Sequence, residues 1–242
     1  MTEDIRTQYK MEEILAAIPS DRGELFIGYR PATLPGKWQE QFQQTIEKRQ
    51  GRHLYRNVFE VADGATGGVV VEVVECASAR DAVDELMETL EENQAAELRP
   101  GPEPLGPAAF SNPEQAPAAI FFVRGNLRIS IMSQSKDDDG VDEWLGMIQQ
   151  DLNLEPVETR GRFEIKPARA EGTRERVNYE FPWKVGPEGW FKFVSSGASI
   201  ERGEQPGELI LGPAKAEVTV KGWVIERGRE SYMGEFKSSA GK

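Results

Sequence analysis

Apolar positions along this chain follow two rhythms, and the switches between them mark out the elements. Ile5, Tyr9, Ile14, Leu15 and Ile18 fall near one helical face and Pro19 stops the run, so residues 3–18 are predicted helical. Glu24 to Arg30 reads as a short strand, broken off by Pro31 and Pro35. Trp38, Phe42 and Ile46 stand at i, i+4 and i+8, which predicts a second helix over Lys37 to Arg49.

Period two takes over next. His53 to Val61 is a strand with Leu54, Val58 and Val61 among its apolar positions. The turn-rich loop Ala62 to Gly68 leads to Val69–Val74, a strand with so few polar residues that it belongs near a sheet centre. Ser78 caps a helix from Ala79, with Asp81 at the third position. Ala79, Ala82, Val83, Leu86 and Leu90 form its inner stripe; Asp84, Glu85, Glu88, Glu91 and Glu92 form its outer face. A similar order then recurs. Ala118 to Arg124 and Leu127 to Met132 flank Gly125-Asn126, the strongest hairpin signal in the chain. Val141, Trp144, Leu145, Ile148 and Leu152 stripe a helix that follows. Strand–strand–helix thus appears twice. The implied fold class is α+β, a largely antiparallel sheet with two covering helices on one face.

Two stretches interrupt this pattern. Leu98 to Pro117 holds six of the 15 prolines and admits no packed helix, with one short strand expected in Leu105–Phe110. Asn153 to Thr173 lacks periodicity and reads as a linker. Beyond it, nine of the 21 aromatic residues fall in 174–242, among short alternating runs separated by Gly- and Pro-rich turns. Strands are expected at Arg176–Phe181, Trp190–Ser195, Glu208–Leu211, Lys215–Ile225 and Ser231–Phe236, forming a small all-β, sandwich-like module. The expected organisation is an α+β domain over 1–155, a linker over 156–173 and the β module over 174–242.

Composition narrows the chemistry. With 41 acidic and 29 basic residues the formal net charge is -12, which disfavours binding nucleic acid or an anionic membrane surface. The single cysteine, Cys76, excludes an internal disulfide framework and a multi-Cys zinc site; the single histidine, His53, excludes multi-His metal sites. The N-terminus has neither the basic start nor the apolar run of a signal peptide, and no stretch is apolar for long enough to span a membrane. A cytoplasmic location is therefore expected for the sequence as it stands, and an extracytoplasmic one if a leader has been removed.

No catalytic, metal or cofactor site emerges. Asp137-Asp138-Asp139-Gly140 has the wrong spacing for a calcium loop and suits a helix N-terminus. Gly64, Gly67 and Gly68 lie between two strands rather than before a helix, so they form a hairpin loop and not a phosphate cradle. No nucleophile motif accompanies His53, and Cys76 follows an apolar strand as a small buried hydrophobe would. Arg160, Arg162, Lys166, Arg169, Arg174 and Arg176 form a basic island best read as paired or solvated. The residues picked for partner contact are Tyr179, Trp183 and Trp190, which flank turns in the β module. The expected function is a non-enzymatic binding or assembly protein, meeting a protein partner or itself through the aromatic-rich module and the Pro-rich loop. The alternative is a carboxylate-based hydrolase acting on carbohydrate, with the β module as a sugar-binding appendage.

Overall fold

The computed structural model describes residues 5–31, 37–47, 52–61, 67–92, 98–101, 105–106, 108–112, 118–134, 140–156, 163–171, 173–182, 184–214, 217–227 and 232–238. In chain order the elements are α1 (Ile5–Gln8), α2 (Met11–Ala17), β1 (Arg22–Ile27), β2 (Trp38–Glu47), β3 (His53–Val61), β4 (Gly68–Glu75) and α3 (Ala79–Glu92). There follow β5 (Arg99–Pro100), β6 (Ala109–Ser111), β7 (Ala119–Arg124), β8 (Leu127–Ser133) and α4 (Gly140–Asn153). The remaining strands are β9 (Glu164–Glu171), β10 (Arg174–Glu180), β11 (Gly189–Ser196), β12 (Ile200–Arg202), β13 (Glu208–Leu211), β14 (Val218–Glu226) and β15 (Tyr232–Ser238). The chain is α+β, and its strand pairings are antiparallel. None of the described helices is long and apolar enough to cross a membrane.

The chain divides into two compact units. The first takes Met1–Ala17, Arg30–Cys76 and Arg80–Leu154; the second takes Ile18–Tyr29, Ala77–Ala79 and Glu155–Lys242.

The first unit is built on a seven-stranded sheet in the order β2-β3-β4-β8-β7-β6-β5. The valine-rich β4 lies near its middle, as an almost wholly apolar strand should. The β7–β8 hairpin turns at Gly125, whose φ of 53° is the left-handed conformation such a tight turn needs. Its neighbour Asn126 donates from Nδ2 to the Cys76 carbonyl at 2.8 Å and so anchors the end of β4. Register places the helices on opposite faces of the sheet, not on one. On α4, Trp144 stacks on Phe59, which pairs with Val69. On α3, Ala82 joins Leu54, Val74 and Cys76 in one buried cluster. Val69 and Val74 are five residues apart on one strand, so they face opposite ways. The helix expected over 3–18 is two short helices, separated at Lys10 by a φ of 53°. The Pro-rich stretch contributes β5 and β6 at one end of the sheet, while residues 113–117 lie outside the described ones.

The helix expected over 37–49 is the strand β2. Spacing of i, i+4, i+8 fits a helix face, yet it also selects alternate residues of a strand. Pairing with β3 settles the matter, and it does so with a bulge between Glu40 and Phe42.

The second unit has two four-stranded sheets, β1-β11-β14-β15 and β12-β13-β10-β9. One core cluster draws on both, with Leu25, Phe193, Val220 and Val224 from the first and Ile165, Val177, Leu209 and Leu211 from the second. Two differences from the sequence reading follow. Residues 164–171, expected within a linker, form the edge strand β9, which tolerates Pro167 because an edge strand has one unpaired side. The N-terminal β1 pairs with β11, so the unit is completed by a segment far from it in sequence. Gly222 has a packing role here: a Cβ there would lie 2.7 Å from Phe163 and 2.8 Å from Phe193, so glycine leaves room for two rings.

Candidate interaction surface

Of the aromatic residues picked from sequence, the two that are described pack against neighbouring side chains. Trp190 is 1% exposed. Its ring meets Tyr29 edge-on at 5.5 Å and lies under the Arg227 guanidinium at 4.7 Å, so it packs as a core residue. Tyr179 is half-buried, with ring centroids 4.9 Å from Phe193 and 5.1 Å from Phe191. Trp183 lies outside the described residues. Of the basic island, Lys166 pairs with Glu164 and Glu180, Arg174 with Glu201, and Arg176 with Glu208, all within the second unit. Arg160 and Arg162 are outside the described residues.

The first unit holds an ionic layer between the sheet and α3, buried at Glu72, Glu85 and Arg128 and open at Arg56 and Glu88. Arg56 Nε donates to Glu72 at 2.7 Å. The other Glu72 oxygen accepts from Arg128 at 3.2 Å, and the same Arg128 nitrogen donates to the Ser130 hydroxyl at 3.0 Å. Arg128 also approaches Glu85 of α3 at 3.6 Å, and Arg52 closes on Glu85 at 2.6 Å and Glu88 at 3.1 Å. Glu85, expected on the outer face of α3, is 2% exposed because the sheet offers it two guanidinium groups. Burial pushes the Glu72 carboxyl up, but Arg128 and Arg56 outweigh it and hold it below the ordinary carboxylate range. Three arginines balance three glutamates, and each acid is held as a charge partner. Glu72, held ionised in this way, is a poor proton donor.

Other reactive groups are similarly placed. Burial pushes the Cys76 thiol up to about 12. Relative to its reference value of 9.0, that leaves the thiolate about a thousandfold scarcer at neutral pH. Maleimide or disulfide exchange at pH 8 is therefore expected to label native Cys76 about a thousandfold more slowly than the urea-unfolded chain; equal rates would contradict its burial. Among the described residues no three His, Cys, Asp or Glu side chains gather to hold a metal ion. A cleft between α4 and the β7 end, lined by Phe122, Arg124, Gln149 and Leu152, holds about 20 Å³, room for roughly one water.

The open surface is at β2. This strand ends the seven-stranded sheet, and among the described residues nothing pairs with its outer edge. Trp38 is fixed at its start: 3% exposed, edge-on to Trp144, with its indole N–H donating to Glu143 at 3.2 Å. Lys37 Nζ also meets Glu143, at 2.6 Å, and this bond with the indole N–H holds the Glu143 carboxyl below its ordinary range. The bulge then inserts one residue. Before it, Trp38 pairs with Val61 on the α4 face; after it, Phe42 pairs with Val58 on the α3 face. The bulge therefore sends Trp38 into the core and turns Phe42 and Ile46 outward. Phe42 is 48% exposed and Ile46 36%, two of the most exposed large apolar residues described.

Several other sheet edges are short or carry proline or charge, which the stretch of β2 after its bulge, Phe42 to Ile46, does not. β5 has two residues, one a proline; β12 has three; β9 has a proline and a bulge in its pairing; β15 carries Glu235 and Lys237. β2 has ten residues, and its stretch Phe42-Gln43-Gln44-Thr45-Ile46 has no charge, proline or glycine. No protein-family model, no curated protein sequence and no solved structure matches this chain.

Proposed function

We propose that this chain is a non-enzymatic binding or assembly protein that receives a protein partner along the outer edge of β2. The observation that carries this reading is the ten-residue edge strand, uncharged from Phe42 to Ile46, with both of those residues exposed on one face. Strand addition at such an edge supplies main-chain hydrogen bonds for affinity and alternate side chains for specificity. Trp190 is taken up by packing and Tyr179 leans on the core, so the contact is assigned to β2 in place of the aromatic module. The test is Phe42→Lys/Ile46→Lys, two substitutions at solvent-facing positions. It is expected to leave the circular dichroism and unfolding midpoint of the protein unchanged while abolishing its specific associations. Identical association by wild type and variant sinks the reading.

A further inference from the structure

We propose that the partner at β2 is β2 of a second copy of this chain, joined antiparallel about a two-fold axis at Gln44; this rests on the reading of β2 as the contact edge. Joining two sheets edge to edge by a two-fold requires an axis normal to the sheet, which keeps each face on its own side. Directly opposed residues then share a face, so their numbers must add to an even sum. The bulge at Glu40/Phe42 confines regular pairing to the stretch after it.

Within that stretch the side chains choose the register. A sum of 88 sets Phe42 opposite Ile46 of the second copy, and Ile46 opposite its Phe42. Both exposed apolar residues are then covered by one another twice over. Gln44 meets Gln44 on the axis, and Gln43 meets Thr45. No acid opposes an acid. A sum of 86 would carry Ile46 past the bulge, where it has no regular counterpart, and a sum of 90 would set Ile46 against Gln44 and Phe42 past the end of β2. Gln44 is in register with Arg56, which already holds Glu72. The row through the axis is therefore Glu72–Arg56–Gln44 in each copy, with its charges neutralised before the copies meet. Over Phe42 to Ile46 the edge matches itself in polarity and sets no like charges together.

The test is sedimentation of the full chain at about 100 µM, a concentration at which a contact of similar Kd is half formed. Wild type is expected to show a species of twice the 27.0 kDa chain mass. Phe42→Lys/Ile46→Lys places lysine opposite lysine, and Phe42→Glu/Ile46→Glu places glutamate opposite glutamate. Each is expected to weaken association by at least about 30-fold, the effect of losing an anchor at the centre of an interface. Mixing the two variants sets lysine opposite glutamate at both positions and restores the dimer, which no unfolding of either variant would produce. A monomeric wild type overturns the proposal, and so does a dimer that survives both variants. If wild type is monomeric yet a different protein binds it and is lost with Phe42→Lys/Ile46→Lys, the second copy is the wrong occupant and the reading of β2 stands. If that variant also binds everything wild type binds, the reading of β2 falls with it.

Discussion

Replacing Trp144 by alanine is expected to cost the first unit about 3–5 kcal/mol, a large share of the roughly 5–15 kcal/mol that holds a typical domain folded. The side chain is fully buried mid-stripe on α4. Its ring stacks on Phe59 at 4.0 Å and meets Trp38 edge-on at 6.1 Å. Aromatic pairs of this kind add about 0.5–1.5 kcal/mol beyond the area they bury. The cavity has little means of closing. A Cβ on Gly140, at the start of α4, would already lie 2.7 Å from Trp38 and from Val69, so the helix cannot slide inward to fill the space. Urea unfolding followed by far-ultraviolet circular dichroism measures the loss as a lower midpoint. Trp144→Phe, which keeps a ring against Phe59, is expected to lose less than half as much. A wild-type midpoint for the alanine variant would mean that α4 does not pack as described.

Much of this core is legible in the chain because burial and period agree there. The stripe of α4, the alternation of β8 and the apolar run of β4 each satisfy one local rule and one tertiary role. The errors arise where two rules overlap. Trp38, Phe42 and Ile46 match a helix face and a strand face equally well, and only pairing with β3 separates them. The bulge that divides Trp38 from Phe42 has no sequence mark, since Gln41 is neither Gly nor Pro, and that bulge makes the candidate site. Helical geometry alone points Glu85 outward, whereas Glu72 carries a readable sign as a charge inside the apolar run of β4, beside Arg128 on the neighbouring β8. β1 is legible as a strand but its pairing is not, since its partner lies about 170 residues away; β9 pairs with the next strand, β10, yet Pro167 and the bulge in that pairing hide its alternation. Tyr179, Trp183 and Trp190 stand out in sequence because they flank turns in an aromatic-rich stretch, and that position does not separate a small core from an exposed face. Trp190 is core.

The second large effect belongs to the ionic layer of the first unit. Arg128→Met is expected to destabilise that unit by about 3–5 kcal/mol at neutral pH, because it strips charge from acids that remain buried. Arg128 is 2% exposed and touches Glu72, Glu85 and Ser130. Methionine keeps much of the stem volume, so the cost reports charge more than packing. In the wild type, Glu72 is held below its ordinary range by Arg128 and Arg56 against the pull of burial. A depressed carboxyl contributes stability above its unfolded value of about 4.3 and loses it as pH falls through the folded value. In the variant, burial is opposed by Arg56 alone, so the folded value rises. A carboxyl raised in this way favours the folded state once it takes up a proton. The deficit between variant and wild type should therefore be largest near pH 7 and shrink toward pH 4.5, which urea midpoints across that range will measure. Adding Glu72→Gln to Arg128→Met should recover part of the loss at pH 7 and remove most of the pH dependence, since a neutral amide needs no guanidinium opposite it. A deficit equal at both pH values would assign the role of Arg128 to packing, and the layer would then be held by shape and not by charge.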